Sequence, residues 1–178
     1  MYWANGFLAQ QDIVAEFHEA IARLPELDPY TLTLSTLSND QVVYLACRNS
    51  QSPLGFTFRI GMQLPAVFTA TGKMMLSALS AAEVQALLPQ FPPPYTERSV
   101  QSHTELADEL AGCRRQGYAL DDGQLRRGMH CFGTAVFDHA GQARFGVAAS
   151  LIEAEADEKT RQHLVDGLKK LAAQLTRT

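Results

Sequence analysis

No run of apolar residues in this chain approaches the roughly 18 needed to cross a bilayer. The apolar start, residues 1–9, lacks a basic flank and is too short for a secretory signal. Cysteine is scarce, with three residues at 47, 113 and 131 and no CxxC pair. An odd, widely spaced set supports neither a disulfide framework nor a zinc ribbon and fits a reducing compartment. These absences read as a soluble, cytoplasmic protein with no membrane role. Positive charge is also short, with 15 Lys and Arg against 19 Asp and Glu and a formal net charge of −4. A domain that grips nucleic acid by itself carries a basic face. Arg114-Arg115, Arg126-Arg127 and Lys169-Lys170 read instead as solvated surface pairs. Catalytic signatures are missing as well: there is no GxGxxG, GxSxG or HExxH. Gly72-Lys73 hints at a phosphate loop, but Val67 stands where the first glycine belongs and Met74 where a Mg²⁺-binding hydroxyl belongs.

What remains is a 178-residue chain with 46% apolar and 19% charged residues. That is enough to build one domain with a real core. Ile13, Phe17, Ile21 and Leu24 recur at helical spacing and predict a helix over 10–24, stopped by Pro25 and Pro29. Tyr30–Leu37 and Gln41–Arg48 alternate as strands, joined by a tight turn at Ser38-Asn39-Asp40. A third strand is expected near Gly55–Ile60. Thr69 or Thr71 caps a helix running to Leu79. Ser80-Ala81-Ala82-Glu83 and Ser102-His103-Thr104-Glu105 are capping boxes that open two more helices. The second of these stops at Gly117, a natural residue for a left-handed helix end. Tyr118–Asp121 is a short strand, and Cys131–Phe137 with Ala143–Ile152 form a hairpin. A last helix begins near Ala156, with Leu164, Leu168, Leu171 and Leu175 as its apolar stripe. Hairpins at both ends and helices between them give an α+β class, an antiparallel sheet flanked by helices in a single domain.

The last hairpin has two unlike faces, because strand side chains alternate. Phe132, Thr134, Val136, Phe145, Val147 and Ala149 make the bulky one. Cys131, Gly133, Ala135, Gly146, Ala148 and Ser150 make the small one. Small residues on a sheet face admit two explanations. Either a helix backbone approaches closely there, or the missing volume is ligand space. Cys131 and Ser150 favour the second by adding polar groups to an apolar wall.

Other chemistries are open at this stage. Cys131 as a nucleophile needs a base, and neighbouring His130 points to the opposite face, leaving His103 or His139. Cys131, His130 and Asp121 lack the regular spacing of a metal site. Asp121-Asp122 is a paired acid and base, a solvated strand end, or an acceptor for a ligand hydroxyl. Neither a metal nor a cofactor is expected, and the chain does not read as an enzyme.

Several segments, taken in order, carry a resemblance. They are Gly61-Met62-Gln63-Leu64-Pro65 followed by Phe68-Thr69-Ala70-Thr71-Gly72-Lys73, and then residues 113–123, Gly128-Met129-His130-Cys131, Ala135-Val136-Phe137-Asp138 and Gly141. This order resembles the effector-binding domain of the IclR family of bacterial transcription factors, over nearly the whole chain. The resemblance implies a GAF/PAS-like fold and a regulator switched by a small organic or aromatic acid. It also implies homodimers or homotetramers, and DNA contact only through a winged helix-turn-helix domain that precedes this unit in the family. Residues 1–25 then read as the N-terminal linker helix and 26–178 as the effector-binding domain, with an excised domain expected rather than a stand-alone sensor.

Carried over position by position, the family site falls on Thr69, Ala70, Asp121, Cys131 and Ser150, with Phe56 and Met129 bordering it. Ala148 stands where relatives often have serine, which favours an aromatic or longer-chain carboxylate over short keto acids. Helix amides near Ala70 and Thr71, with the Thr69 hydroxyl, would hold the carboxylate. Asp121 and Ser150 would orient a second polar group. Gly123 and Gly128 would free the loop between them as a lid. Lys73, one turn into the helix, is read as part of a surface or inter-helix ion pair outside the site. Three rival readings are a GAF-like signalling module with a non-DNA output, a cysteine-dependent enzyme, and a domain that only drives oligomerisation.

Overall fold

Tight turns and capped helices divide the chain much as its punctuation predicts. This computed structural model describes residues 2–51 and 57–176, with side chains described from residue 12 onward. β1 (Thr31–Ser38) and β2 (Gln41–Arg48) form an antiparallel hairpin through Asn39, whose φ of 55° is left-handed. The third strand is not near residues 55–60. β3 is Gln63–Pro65, paired to β2 from Gln41 to Val43. Residues 57–60 run in non-strand backbone, and 52–56 lie outside the described residues.

β4 (Ala119–Asp122), β5 (Met129–Phe137) and β6 (Ala143–Ile152) complete one antiparallel sheet in the order β3-β2-β1-β6-β5-β4. The centre of the sheet therefore joins an early strand to the last one: Thr31 pairs with Ser150 and Thr36 with Phe145.

The sheet has one helical layer on each face. α1 (Tyr2–Ala22) and α5 (Glu158–Leu175) cover one face. Ile13, Phe17, Ile21 and Leu24 bury there with Leu164, Leu168, Leu171 and Leu175, against Phe132, Val136, Val147 and Ala149. That is the bulky hairpin face, filled as alternation requires. α1 starts earlier and ends two residues sooner than its apolar spacing suggests, and Pro25 opens a 3-10 turn instead of continuing it.

α2 (Ala70–Ser77), α3 (Ala81–Leu87) and α4 (His103–Gln116) cover the opposite face. Ser80 and Glu83 form a reciprocal capping box. At α4, Ser102 accepts from Glu105 N, but the Glu105 carboxylate reaches one residue further back, to Gln101 N. Gly117 ends α4 at φ 75°. Among the described residues, no helix is long and apolar enough to cross a membrane.

Candidate functional site

The small-residue face of the sheet meets the first turn of α2. A Cβ at Gly146 would lie 2.6 Å from Thr71 Cβ, and one at Gly133 3.0 Å from both Ala70 C and Thr71 N. Ser35 on β1 donates to Thr71 Oγ1 at 2.8 Å across the same contact. Close helix approach, not ligand space, therefore explains the glycines. This corrects the cavity reading of that face at its centre.

The polar part of the face lies in the next row. Asp121 pairs with Cys131, Cys131 with Ser150, and Ser150 with Thr31, each directly across a strand boundary. Residues directly opposed project to the same side. Four chain segments thus deliver a carboxyl, a thiol and two hydroxyls in one line, and all four residues are buried. Cys131 Sγ and Ser150 Oγ are 3.0 Å apart and share a hydrogen bond.

Asp121 is wholly buried. Its Oδ1 accepts from Gln124 N at 2.7 Å and Leu125 N at 3.3 Å. Its Oδ2 has no hydrogen-bond partner among the described residues. Burial pushes the Asp121 carboxyl up to about 7, against the opposing pull of the Lys73 ammonium and the two amides. Burial, and then the Asp121 charge, also raises the Cys131 thiol far above its ordinary range. A thiol held protonated is a poor nucleophile, so this setting opposes the thiolate that a Cys131-dependent enzyme would need. His130 lies on the other face, 3.7 Å from Glu153 Oε1. No group of three or more His, Cys, Asp or Glu side chains converges as a metal site among the described residues.

The α2 N-terminus provides two donors. Gly72 N donates to Thr69 Oγ1 and Lys73 N to Thr69 O, while the amides of Ala70 and Thr71 have no partner among the described residues. Two unpaired amides at a helix start form an anion-binding arrangement. The Thr69 hydroxyl is not available to join them. It donates to Ala66 O at 3.2 Å while capping Gly72. Thr69 is therefore the cap that shapes the helix start, and the hydroxyl expected to face a ligand spends its proton on Ala66 O in this structure.

Lys73 is buried, with Nζ 2.5 Å from Glu109 Oε2 on α4. The contact is an ion pair without an aligned hydrogen bond. The expected inter-helix pair is present, but it lies in the interior, near enough to Asp121 to favour its charged form. Gln124 ties the two acids together. Its backbone N–H binds Asp121, its side-chain amide donates to Glu109 Oε1 at 2.9 Å, and its Oε1 accepts from Val100 N. The loop from Gly123 to Gly128 is correspondingly anchored. Thr96 donates to Gly123 O, Ser99 to Gln124 O and Arg98 to Asp122 O. Both glycines adopt left-handed φ, so they serve the turn rather than a free lid.

Met129 is buried on the same side as Cys131, while Phe56 lies outside the described residues. Tyr44 was not predicted. It opposes Ser35 on the α2 side and stacks against Phe58 with ring centroids 5.2 Å apart. A break in register between Leu34 and Ser35 puts it there: Ala46 packs with α1 and α5, but Tyr44 and Val42 pack with α2. Regular alternation would have put 42, 44 and 46 on one face, so only the bulge reveals Tyr44.

Comparison with known proteins gives this arrangement a context. A family model described as the bacterial transcriptional regulator IclR C-terminal domain matches residues 5–177. The transcriptional regulator KdgR of Escherichia coli is 29% identical over 173 residues, 94% of this chain and 66% of its own length. The solved structure of the Agobacterium tumefaciens repressor BlcR superposes with a TM-score of 0.89 at 48% identity, covering 99% of this chain and 70% of that one. An IclR homologue from Microbacterium hydrocarbonoxydans, solved with 4-hydroxybenzoate, has a TM-score of 0.77 at 17% identity, over 96% of this chain and 70% of that one. At that identity the likeness is one of fold alone. The chain spans between 48% and 66% of the length of three curated relatives, all of them regulators of transcription rather than enzymes.

Proposed function

This chain belongs to the IclR family of bacterial transcriptional regulators, matching its C-terminal domain, and from that premise we propose that it senses a small organic carboxylate. One observation carries the reading. Asp121 Oδ2, buried and without a partner, lies in a polar row on the sheet face that the open amides of Ala70 and Thr71 approach. A buried acceptor and two buried donors left unpaired are costly unless something completes them. A ligand carboxylate fits the amides, and a protonated Asp121 can donate to an oxygen of the same ligand. Ser150 and Cys131 supply the wall between them.

Met129 lies one step along β5 from Cys131, Tyr44 and Phe58 belong to the same buried cluster, and Ala148 adds no hydroxyl. Those surroundings support an aromatic or longer-chain acid over a short polar one. The 4-hydroxybenzoate held by the Microbacterium hydrocarbonoxydans homologue is of that class. In this reading the domain works in the cytoplasm as part of a homodimer or homotetramer. Ligand binding favours one assembly geometry and so changes DNA affinity through a separate DNA-binding domain. α1 and α5 pack together on the sheet face away from the site and suit the role of transmitter.

Titration calorimetry at pH 7 with benzoate, 4-hydroxybenzoate, hexanoate, pyruvate and glyoxylate tests the reading. Binding of the aromatic or six-carbon acids, lost in Asp121→Ala, is the expected result. Binding of pyruvate and glyoxylate alone would overturn the size preference. Unchanged affinity in Asp121→Ala would overturn the site, and no binding by any of the five would overturn the function.

A further inference from the structure

One buried ammonium serves two acids in this molecule. Lys73 on α2 is buried, and its Nζ has an ion contact with Glu109 Oε2 at 2.5 Å but no aligned hydrogen bond. Asp121 Oδ2 is buried and unpartnered among the described residues. Gln124 sets how near the two acids lie. Its backbone N–H binds Asp121 Oδ1 at 2.7 Å and its side-chain amide binds Glu109 Oε1 at 2.9 Å, so the carboxyls sit one glutamine apart. A buried cation and a buried carboxyl in one such cluster ordinarily pair. Here they do not, because Glu109 holds the cation.

Solvation explains the choice. One ammonium balances one carboxylate, and a second negative charge in the same interior is left uncompensated. The Glu109 side chain is 34% exposed, whereas Asp121 is 0% exposed. Water therefore lowers the cost of a negative charge at Glu109 and not at Asp121. The other titratable groups around Asp121 are Cys131 on β5, Tyr44 on β2 and Asp122 beside it on β4, and none of them supplies a positive charge. We infer that Glu109, on α4 and outside the polar row, is a positioning residue for Asp121: by engaging Lys73 and Gln124 it keeps Asp121 Oδ2 out of an ion pair and open to the effector. The consequence for the effector rests on the carboxylate reading above, whereas the diversion of Lys73 does not.

Glu109→Gln removes the competing charge while keeping the side chain's size and an acceptor for Gln124. The ammonium then turns to Asp121. The carboxyl-carbon NMR resonance of Asp121, identified by its absence in Asp121→Asn, is followed from pH 3 to 9 without ligand. In the parent its midpoint should lie near 7. In Glu109→Gln it should fall by about one to three pH units, the effect of a close opposite charge on a carboxylate. Adding Lys73→Met to Glu109→Gln should abolish the fall, and Glu109→Asp, which restores the charge, should undo most of it. A merely structural role for Glu109 would lower stability without this cation-dependent movement. Where Glu109→Gln does not fold, Gln124→Leu frees Glu109 Oε1 but leaves the backbone N–H on Asp121, and the midpoint should fall in the same direction by less. Calorimetry at pH 7 should show benzoate and hexanoate binding Glu109→Gln about tenfold more weakly, because an ionised Asp121 opposes the anion. A parent midpoint in the ordinary carboxylate range, a midpoint unmoved in the folded variant, or one that falls as far with Lys73→Met added overturns the inference, whatever binds. Unchanged affinity despite a moved midpoint overturns the positioning role. A moved midpoint in a protein that binds neither acid overturns the carboxylate reading and leaves the diversion of Lys73 standing.

Discussion

Asp121 and Cys131 face each other directly across β4 and β5, and the carboxyl keeps one oxygen bonded to the loop and the other free. The arrangement sets the sign of a pH effect. Asp121 is held near 7 when folded and near 3.9 when unfolded. Between those values the folded protein holds a proton that the unfolded chain has released. The contribution is fully present below about pH 4 and is lost as pH rises to 7, on the order of 4 kcal/mol in all. The charged and titratable groups around Asp121 are Lys73, Asp122, Cys131 and Tyr44. Melting curves at pH 5 and pH 8 should show the parent losing more stability than Asp121→Asn; an identical loss in both would refute the assignment.

Binding of an anion beside Asp121 should likewise weaken above pH 7, since the second negative charge must then be accommodated or protonated. The expected slope approaches a tenfold loss of affinity per pH unit for benzoate or hexanoate. Asp121→Asn should flatten it, as read by calorimetry across pH 6 to 9.

Gly146 has Thr71 where its side chain would be, at 2.6 Å from Cβ and 2.9 Å from Cγ2. Gly146→Ala should destabilise by about 1–3 kcal/mol through overpacking. Paired with Thr71→Ser, which removes the crowding methyl, it should recover part of the loss. Urea denaturation of the two variants measures both quantities.

Lys73 is buried and Glu109 about a third exposed. Glu109→Gln leaves the ammonium facing a neutral amide and should cost on the order of 3 kcal/mol, the lower end for breaking a buried pair. The double substitution Lys73→Met with Glu109→Leu should cost less than that single change. Equilibrium unfolding in guanidinium gives the comparison.

Thr69→Val removes an N-cap and should cost about 1 kcal/mol. Its effect on carboxylate affinity should be smaller than that of Asp121→Ala, because the hydroxyl is committed to Ala66 and Gly72. Parallel calorimetry of the two variants ranks them.

The elements that local chemistry punctuates were readable from the sequence. Ser80, Ser102 and Gly117 mark helix ends, Asn39 marks the first hairpin, and Leu164, Leu168, Leu171 and Leu175 lie on the buried stripe. The resemblance also named Asp121, Cys131 and Ser150 one by one, and the strand register is what sets them in a single row. What could not be read depends on distant parts of the chain. The bulge after Leu34 decides the direction of Tyr44, and no local signal announces it. Lys73 reads as part of a surface or inter-helix ion pair, and its burial shows only once α4 brings Glu109 over it. Gly133 and Gly146 look like empty volume until α2 occupies it. Thr69 looks like a free donor until its hydroxyl is seen to donate to Ala66 O.

The seam between β1 and β6 has a consequence for the order in which the protein is made. Thr31 leaves the ribosome long before Ser150, yet the two are neighbours in the polar row. While β5 and β6 are still untranslated, the row has no Cys131 and no Ser150, and the edge of β1 has nothing to pair with. On the reading proposed above, a nascent chain lacks its binding row until the last hairpin zips the two halves of the sheet together.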